Sequence, residues 1–277
     1  MDIIAVTSFK GGTAKTSTAI HLGAAFAKFH KKKTLLIDFD AQANLTTGLG
    51  FDPDEFDSLA TVLQKEKSIK EVIQKTCIPK MDLIPADTWL ERVEVTGELA
   101  ADRYSHERLR EIINSLDYDL VIIDTPPSLC WLTESALIAA NWALISATPE
   151  FYSVKGLERL SQFIESIGHR HPLHVLGVLL SFWNSRGKSN EAFLAVINET
   201  FPEKALKNKV RRDIQVSEAS VYGKPLFEIA PSSRAAQDYK LVAKELIQRL
   251  YTSKCQAALH GENNERCELA AYQTTEN

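Results

Sequence analysis

Runs of apolar residues, many of them β-branched, recur along the chain, and stretches with helical spacing separate them. The runs are Ile3-Ile4-Ala5-Val6, Thr34-Leu35-Leu36-Ile37, Met81-Asp82-Leu83-Ile84, Leu120-Val121-Ile122-Ile123, Trp142-Ala143-Leu144-Ile145 and Leu173 to Leu180. Apolarity that is continuous rather than alternating predicts strands buried on both faces. Strands separated by helices predict βαβ units with right-handed crossovers. The expected fold class is α/β, a mostly parallel twisted sheet with helices on both faces. Helical spacing is clearest from Lys15 to Lys28, from His106 to Leu116, from Ser153 to Ile167 and from Asp238 to Leu250. The first of these runs into the basic stretch His30 to Lys33, which suits a helix C-terminus.

No internal repeat and no linker divides residues 1–251, which read as one domain. From Thr252 the periodicity fails, and residues 252–277, polar and mildly acidic, read as a disordered tail. The chain has 277 residues, 44% apolar and 25% charged, which allows a large core and marks ordinary globular composition. A net charge of -4 does not advertise a nucleic-acid binder, so any basic patch must be local. Cys77, Cys130, Cys255 and Cys267 form no CxxC pair and no metal-ligand spacing with His, and they read as reduced thiols of a cytoplasmic protein. Met1-Asp2 is no secretory signal, and no apolar run approaches the ~18 residues of a membrane span.

The first strand runs into Lys10-Gly11-Gly12-Thr13-Ala14-Lys15-Thr16-Ser17, and a helix follows. Strand, glycine loop and helix in that order form an anion site, because loop N–H groups converge and the helix N-terminus adds positive dipole. Lys15 is placed to reach β- and γ-phosphates and the Thr16 hydroxyl to ligate Mg²⁺. The strict GxxxxGK[ST] pattern fails, since Phe9 and Ala14 occupy its glycine positions, which leaves a plain glycine turn as the alternative. Two further strand ends weaken that alternative. Asp38-Phe39-Asp40-Ala41-Gln42 ends the second strand and Asp124-Thr125-Pro126-Pro127 the fourth. In a parallel sheet these acids share the edge where ligands bind. Carboxylates there suit Mg²⁺ and a water aimed at the γ-phosphate.

These motifs resemble the ParA/MinD family of deviant Walker A ATPases. Residues 10–17 are similar to its KGGxGKTT loop, with Lys10 at the signature lysine. Asp38 to Gln42 resembles its DxDPQ switch, and Ile122 to Leu129 its IDxPPSL motif. Ser217-Glu218-Ala219-Ser220, Gly223-Lys224-Pro225 and Ser233 to Tyr239 resemble its SEAPS, GxP and SRGAxxY stretches. The resemblance runs in order from Met1 to about Leu250 and is nearest to the short ParA/Soj branch that segregates DNA. The branch's departures here are Ala14, tolerable if the backbone is helical there, Ala41 for the switch proline, and Arg211 for the proline before Arg212.

The resemblance implies a P-loop NTPase that binds ATP and Mg²⁺, closes into a homodimer on ATP, and hydrolyses slowly until a ParB-type centromere-binding protein stimulates it. It implies that Lys10 reaches across to the partner's phosphates and that Asp40 positions water. Thr16 and Asp124 hold Mg²⁺, and Asp38 supports the switch. It also implies non-specific DNA binding through Arg212 and Arg234, with plasmid or chromosome as cargo and a nucleoid-associated place in the cytoplasm. The basic run Lys204, Lys207, Lys209, Arg211, Arg212 fits that surface, and Ser181 to Arg186 is a candidate edge for the adenine. Competing readings are a MinD-like membrane ATPase, a metabolic P-loop enzyme such as dethiobiotin synthetase, and a diverged relative acting in gene regulation. The tail, with Lys254 and Arg266 against Glu262, Glu265, Glu268 and Glu276, has the wrong balance for an anionic bilayer.

Overall fold

The computed structural model describes residues 1–95, 105–149, 154–184 and 190–260. Among the described residues, seven strands form one sheet: β1 (Asp2–Thr7), β2 (Thr34–Asp38), β3 (Gln74–Lys75), β4 (Met81–Ile84), β5 (Leu120–Asp124), β6 (Trp142–Ala147) and β7 (His174–Leu180). Their order is β3-β4-β2-β5-β1-β6-β7. Every pairing among them is parallel except the short β3 against β4.

The apolar runs explain this arrangement directly. Along β1, Ile3 and Ala5 pack into one core while Ile4 and Val6 pack into the other. Leu35 and Ile37 of β2 likewise oppose Leu36, and all three are fully buried. Each such side chain contributes about 1.5–3 kcal/mol of burial free energy, so both faces need a helical cover. Helix α1 (Lys15–His30) and the long helix Arg234–His260 cover one face, through Leu22, Phe26, Tyr239 and Leu246. The helices Trp131–Ala139 and Val154–Gly168 help cover the other, through Leu132, Ala136, Leu157 and Leu160. Gly23 lets α1 lie close to the sheet, since a Cβ there would come within 2.6 Å of Leu36.

Two expectations change at the last helix. It begins at Arg234, where the Ser233 hydroxyl accepts from the Ala236 N–H (3.2 Å), rather than at Asp238. It also continues to His260, so residues 252–260 are helix and not tail. Lys254 pairs with Asp2 at 2.8 Å and holds that extension against the start of β1. Residues 261–277 lie outside the described residues, as does Cys267. Cys77 and Cys130 are free thiols, whereas Cys255 is disulfide-bonded, which corrects the reading of four reduced cysteines.

Candidate nucleotide site

β1 is flanked by β5 and β6, and β5 by β1 and β2, so three loops leave one sheet edge side by side. The loop after β1 is tied inward at several points. Ser8 Oγ and Thr13 Oγ1 both donate to the Lys10 carbonyl, at 2.8 and 3.4 Å. Ser146 Oγ of β6 donates to the Thr13 carbonyl. Gly12 (φ +75°) and Ala14 (φ 62°, ψ 28°) are both left-handed. Alternating left-handed residues turn successive N–H groups toward one side, the geometry of an anion nest. Ala14 is therefore not helical in the right-handed sense on which its tolerance was expected to rest. Its Cβ is held in a conformation disfavoured by roughly 1–2 kcal/mol.

Phe9, at the position of the strict motif's first glycine, has a structural use. Its ring lies on Gly156 of the helix Val154–Gly168, where an added Cβ would sit 2.2 Å from it. The loop is thus anchored from outside as well as within. Lys10, Gly11 and Gly12 are exposed at the mouth, Thr16 and Ser17 are half-buried, and Lys15 is buried.

Register sets the acids. Asp38 and Asp124 are Cα partners across β2 and β5, and Val6 partners Asp124 across β1 and β5. Both carboxyls are 0% exposed, yet their environments differ. Asp38 Oδ2 accepts from the Thr46 N–H (2.9 Å) and hydroxyl (2.7 Å), and Oδ1 from the Asp40 N–H (3.3 Å). Burial still raises its pKa to about 6, against those bonds. Neither Asp124 oxygen makes a hydrogen bond of good distance and angle together. Burial, aided by the Asp38 charge, pushes its pKa up to about 8, although Thr16 and Lys15 lie close enough to pull it down. Desolvation lowers the Lys15 pKa, and Asp124 and Asp40 oppose that shift. Asp40 is buried and accepts from the Gln42 N–H at 3.1 Å.

Orphaned carboxylate oxygens are rare in folded chains and point to a missing partner. A hard divalent cation fits. Mg²⁺ is commonly held by one or two carboxylates with phosphate oxygens and water, and the Asp124 carboxyl with the Thr16 hydroxyl beside it offers oxygen donors of that kind next to Lys15. Asp38 is committed to Thr46 and is not free in the same way. Thr46, the residue that holds Asp38, lies in the stretch Asn44 to Gly50, which resembles the family's segment after the switch, but nothing in the sequence pairs it with Asp38. His21 was missed because nothing in the sequence marks it. Fully buried in α1, it accepts from the Leu226 N–H at 3.4 Å through Nδ1, and burial drives its pKa down to about 3.

The basic run divides into structural and exposed residues. Arg211 forms a bidentate pair with Asp238, Nε to Oδ2 at 2.9 Å and Nη2 to Oδ1 at 2.7 Å, so it is committed to the fold. Glu245 accepts from the Lys207 and Asn208 N–H groups, and Lys209 lies over the Trp183 ring at 5.0 Å. Arg212 and Arg234 come together: both are exposed, and Arg234 Nη2 donates to the Arg212 carbonyl at 3.3 Å. After β7, Trp183 N–H donates to the Val210 carbonyl at 2.9 Å, while residues 185–189 lie outside the described residues.

Comparison with known proteins adds to this geometry. The family described as AAA domain matches residues 1–175. A ParA family protein of Chlamydia muridarum is 67% identical over 249 residues, covering 89% of this chain and 98% of the relative. The chromosome partitioning protein ParA of Caulobacter vibrioides is 34% identical over 264 residues, covering 92% and 97%. Among solved structures, cobyrinic acid a,c-diamide synthase of Mycobacterium smegmatis, with bound ATP analog and magnesium, superposes with a TM-score of 0.79. It is 27% identical, covering 91% of this chain and 97% of that one. Among the described residues no helix is long and apolar enough to cross a membrane.

Proposed function

The chain belongs to the ParA family of ATPases, and on that premise we propose that it is an ATP-gated switch that binds DNA without reading sequence. The observation that carries the proposal is the orphaned Asp124 carboxylate, in register with Asp38 and beside Lys15. Residues 10–17 cradle the phosphates, and Lys15 neutralises the β- and γ-phosphoryl oxygens. Thr16 and Asp124 hold the cation, which when bound supplies further charge neutralisation. Asp40 orients the attacking water. Asp38 fixes the start of the loop that must sense the γ-phosphate, because both of its bonds to Thr46 cross that loop.

Lys10 is exposed at the mouth of the site and free to extend. In this reading it reaches the phosphates of a second copy, so the chain acts as a homodimer closed by ATP. Turnover is weak until a ParB-type centromere-binding protein completes the site, and the lifetime of the closed dimer is the useful output. Arg212 and Arg234 then meet duplex phosphates, and retention falls with salt. The cargo is a plasmid or chromosome.

Arg212→Glu tests the DNA surface. DNA co-sedimentation at low, fixed salt should be abolished while titration with a fluorescent ATP analogue is unchanged. Loss of both together would remove Arg212 from a separate DNA surface.

A further inference from the structure

We infer that Gly50 and Gly223 are positioning residues that transmit the state of the nucleotide site to the arginine surface; the inference rests on the switch reading above. The two glycines have positive φ, +82° and +60°, and their backbones pack directly on each other. A Cβ on Gly223 would lie 2.5 Å from Gly50 Cα and 2.8 Å from Gly50 N, and one on Gly50 would lie 3.1 Å from the Gly223 carbonyl. These are contacts between main chains, with no flexible side chain to absorb a shift. A displacement of one segment toward the other must therefore displace it.

Each glycine ends a bonded chain that begins at one of the two surfaces. From the nucleotide side, Asp38 holds Thr46 in helix α2 (Asn44–Gly48), and the Thr46 carbonyl accepts from the Phe51 N–H at 3.2 Å. Gly50 lies inside that turn, its N–H donating to Thr47 at 2.9 Å. From the DNA side, Gly223 caps the helix Gln215–Val221 through its N–H to Ser220 (3.1 Å). The other end of that helix is fixed by Asp213, which accepts from Gln215 through Oδ1 (3.2 Å) and from Ala235 through Oδ2 (3.1 Å). Asp213 thus joins this helix to the helix that starts at Arg234, and Arg234 donates to the Arg212 carbonyl.

The connecting helix is short and little of it is buried. Ala219 is its one buried residue, while Ile214 at its start is 71% exposed and Val221 85%. A short helix held by so little apolar burial sits at the low end of local stability. It has two fixed ends, one at Gly223 and one at Asp213. Coupling of this kind needs both sites to bias one movable element, and this helix is the element bonded toward both.

The test is hydrogen–deuterium exchange on the full chain, with and without ATP·Mg²⁺, for wild type, Gly223→Ala and Gly50→Ala. In wild type, protection should change at residues 44–51 and at 214–225 together. In a folded glycine variant the change at 44–51 should remain and that at 214–225 should vanish. DNA retention should then lose its nucleotide dependence, from a ratio of roughly 5-fold or more to about one. Unchanged exchange at 214–225 in wild type overturns the inference without any variant, and so does a folded variant that keeps both changes. If wild type shows the paired exchange but retains no DNA, the DNA reading fails and the coupling stands.

Discussion

Replacing Asp124 by Asn removes a charge from a place where the folded chain gives it no hydrogen bond. The carboxyl is fully buried, and its pKa is pushed from the ordinary 3.8 to about 8, first by desolvation and then by Asp38. Each pH unit of that difference is worth about 1.4 kcal/mol, so the charged form is disfavoured by at most ~6 kcal/mol. Much of the ceiling is lost because Lys15, also buried, gives up a counter-charge in the same substitution. We expect Asp124→Asn to stabilise the nucleotide-free protein by ~2 kcal/mol at pH 8, a rise in Tm of about 4–8 °C for a chain of this size. The sign with pH follows from the raised pKa. Stability from the protonated group is present below 3.8 and lost as pH rises through about 8, so the variant's advantage grows from nothing near pH 4 to its full value above pH 8. ATP·Mg²⁺ should reverse the ranking, because ligand near 100 times Kd adds about 2.7 kcal/mol to wild type alone. Thermal melts across pH 4–9, with and without ATP·Mg²⁺, give the answer. A variant less stable than wild type without nucleotide, or one still stabilised by ATP·Mg²⁺, would refute the reading of Asp124 as a carboxylate kept for a cation.

Ala14→Gly relieves left-handed strain of roughly 1–2 kcal/mol and adds unfolded-state entropy of about 0.4–1, so urea unfolding should show a gain of up to ~1.6 kcal/mol. A loss would mean that the Ala14 methyl has a packing role. His21, with its pKa depressed to about 3, contributes stability that is present above 6.5 and lost as pH falls toward 3. His21→Gln keeps an acceptor for Leu226, so the variant should gain on wild type progressively below pH 6.5; parallel stability curves would contradict this. Arg211→Ala should lower stability by ~1 kcal/mol, because Asp238 is left buried without its cation, while leaving ATP binding intact. Arg212→Ala should leave the Tm unchanged, and a Tm drop matching that of Arg211→Ala would make both residues structural.

The sheet was readable because its strands are apolar on both faces, and five of the six apolar runs lie inside strands as read. The sixth run, Leu173 to Leu180, differs only at its first residue. β3 left no trace, being two polar residues on an edge. The helix Trp131–Ala139 was also unread, because a sequence buried nearly all round has no polar stripe to give it a period. At the site, the loop, Asp38 and Asp124 were legible as motifs at strand ends. Which acid is satisfied and which is orphaned was not, because that depends on Thr46 crossing to Asp38. Arg211 shows the same limit. In sequence it counts as one more cation beside Arg212, and in the fold it is spent on Asp238, far along the chain. The Gly50–Gly223 contact is longer-ranged still, and neither glycine's neighbours hint at the other.

The most direct test of the account is co-sedimentation with non-specific duplex DNA at low, fixed salt, comparing ATP·Mg²⁺, ADP and no nucleotide for wild type and Lys15→Ala. The account predicts that only wild type with ATP·Mg²⁺ pellets with the DNA. DNA binding that is absent, indifferent to nucleotide, or retained by Lys15→Ala would contradict it.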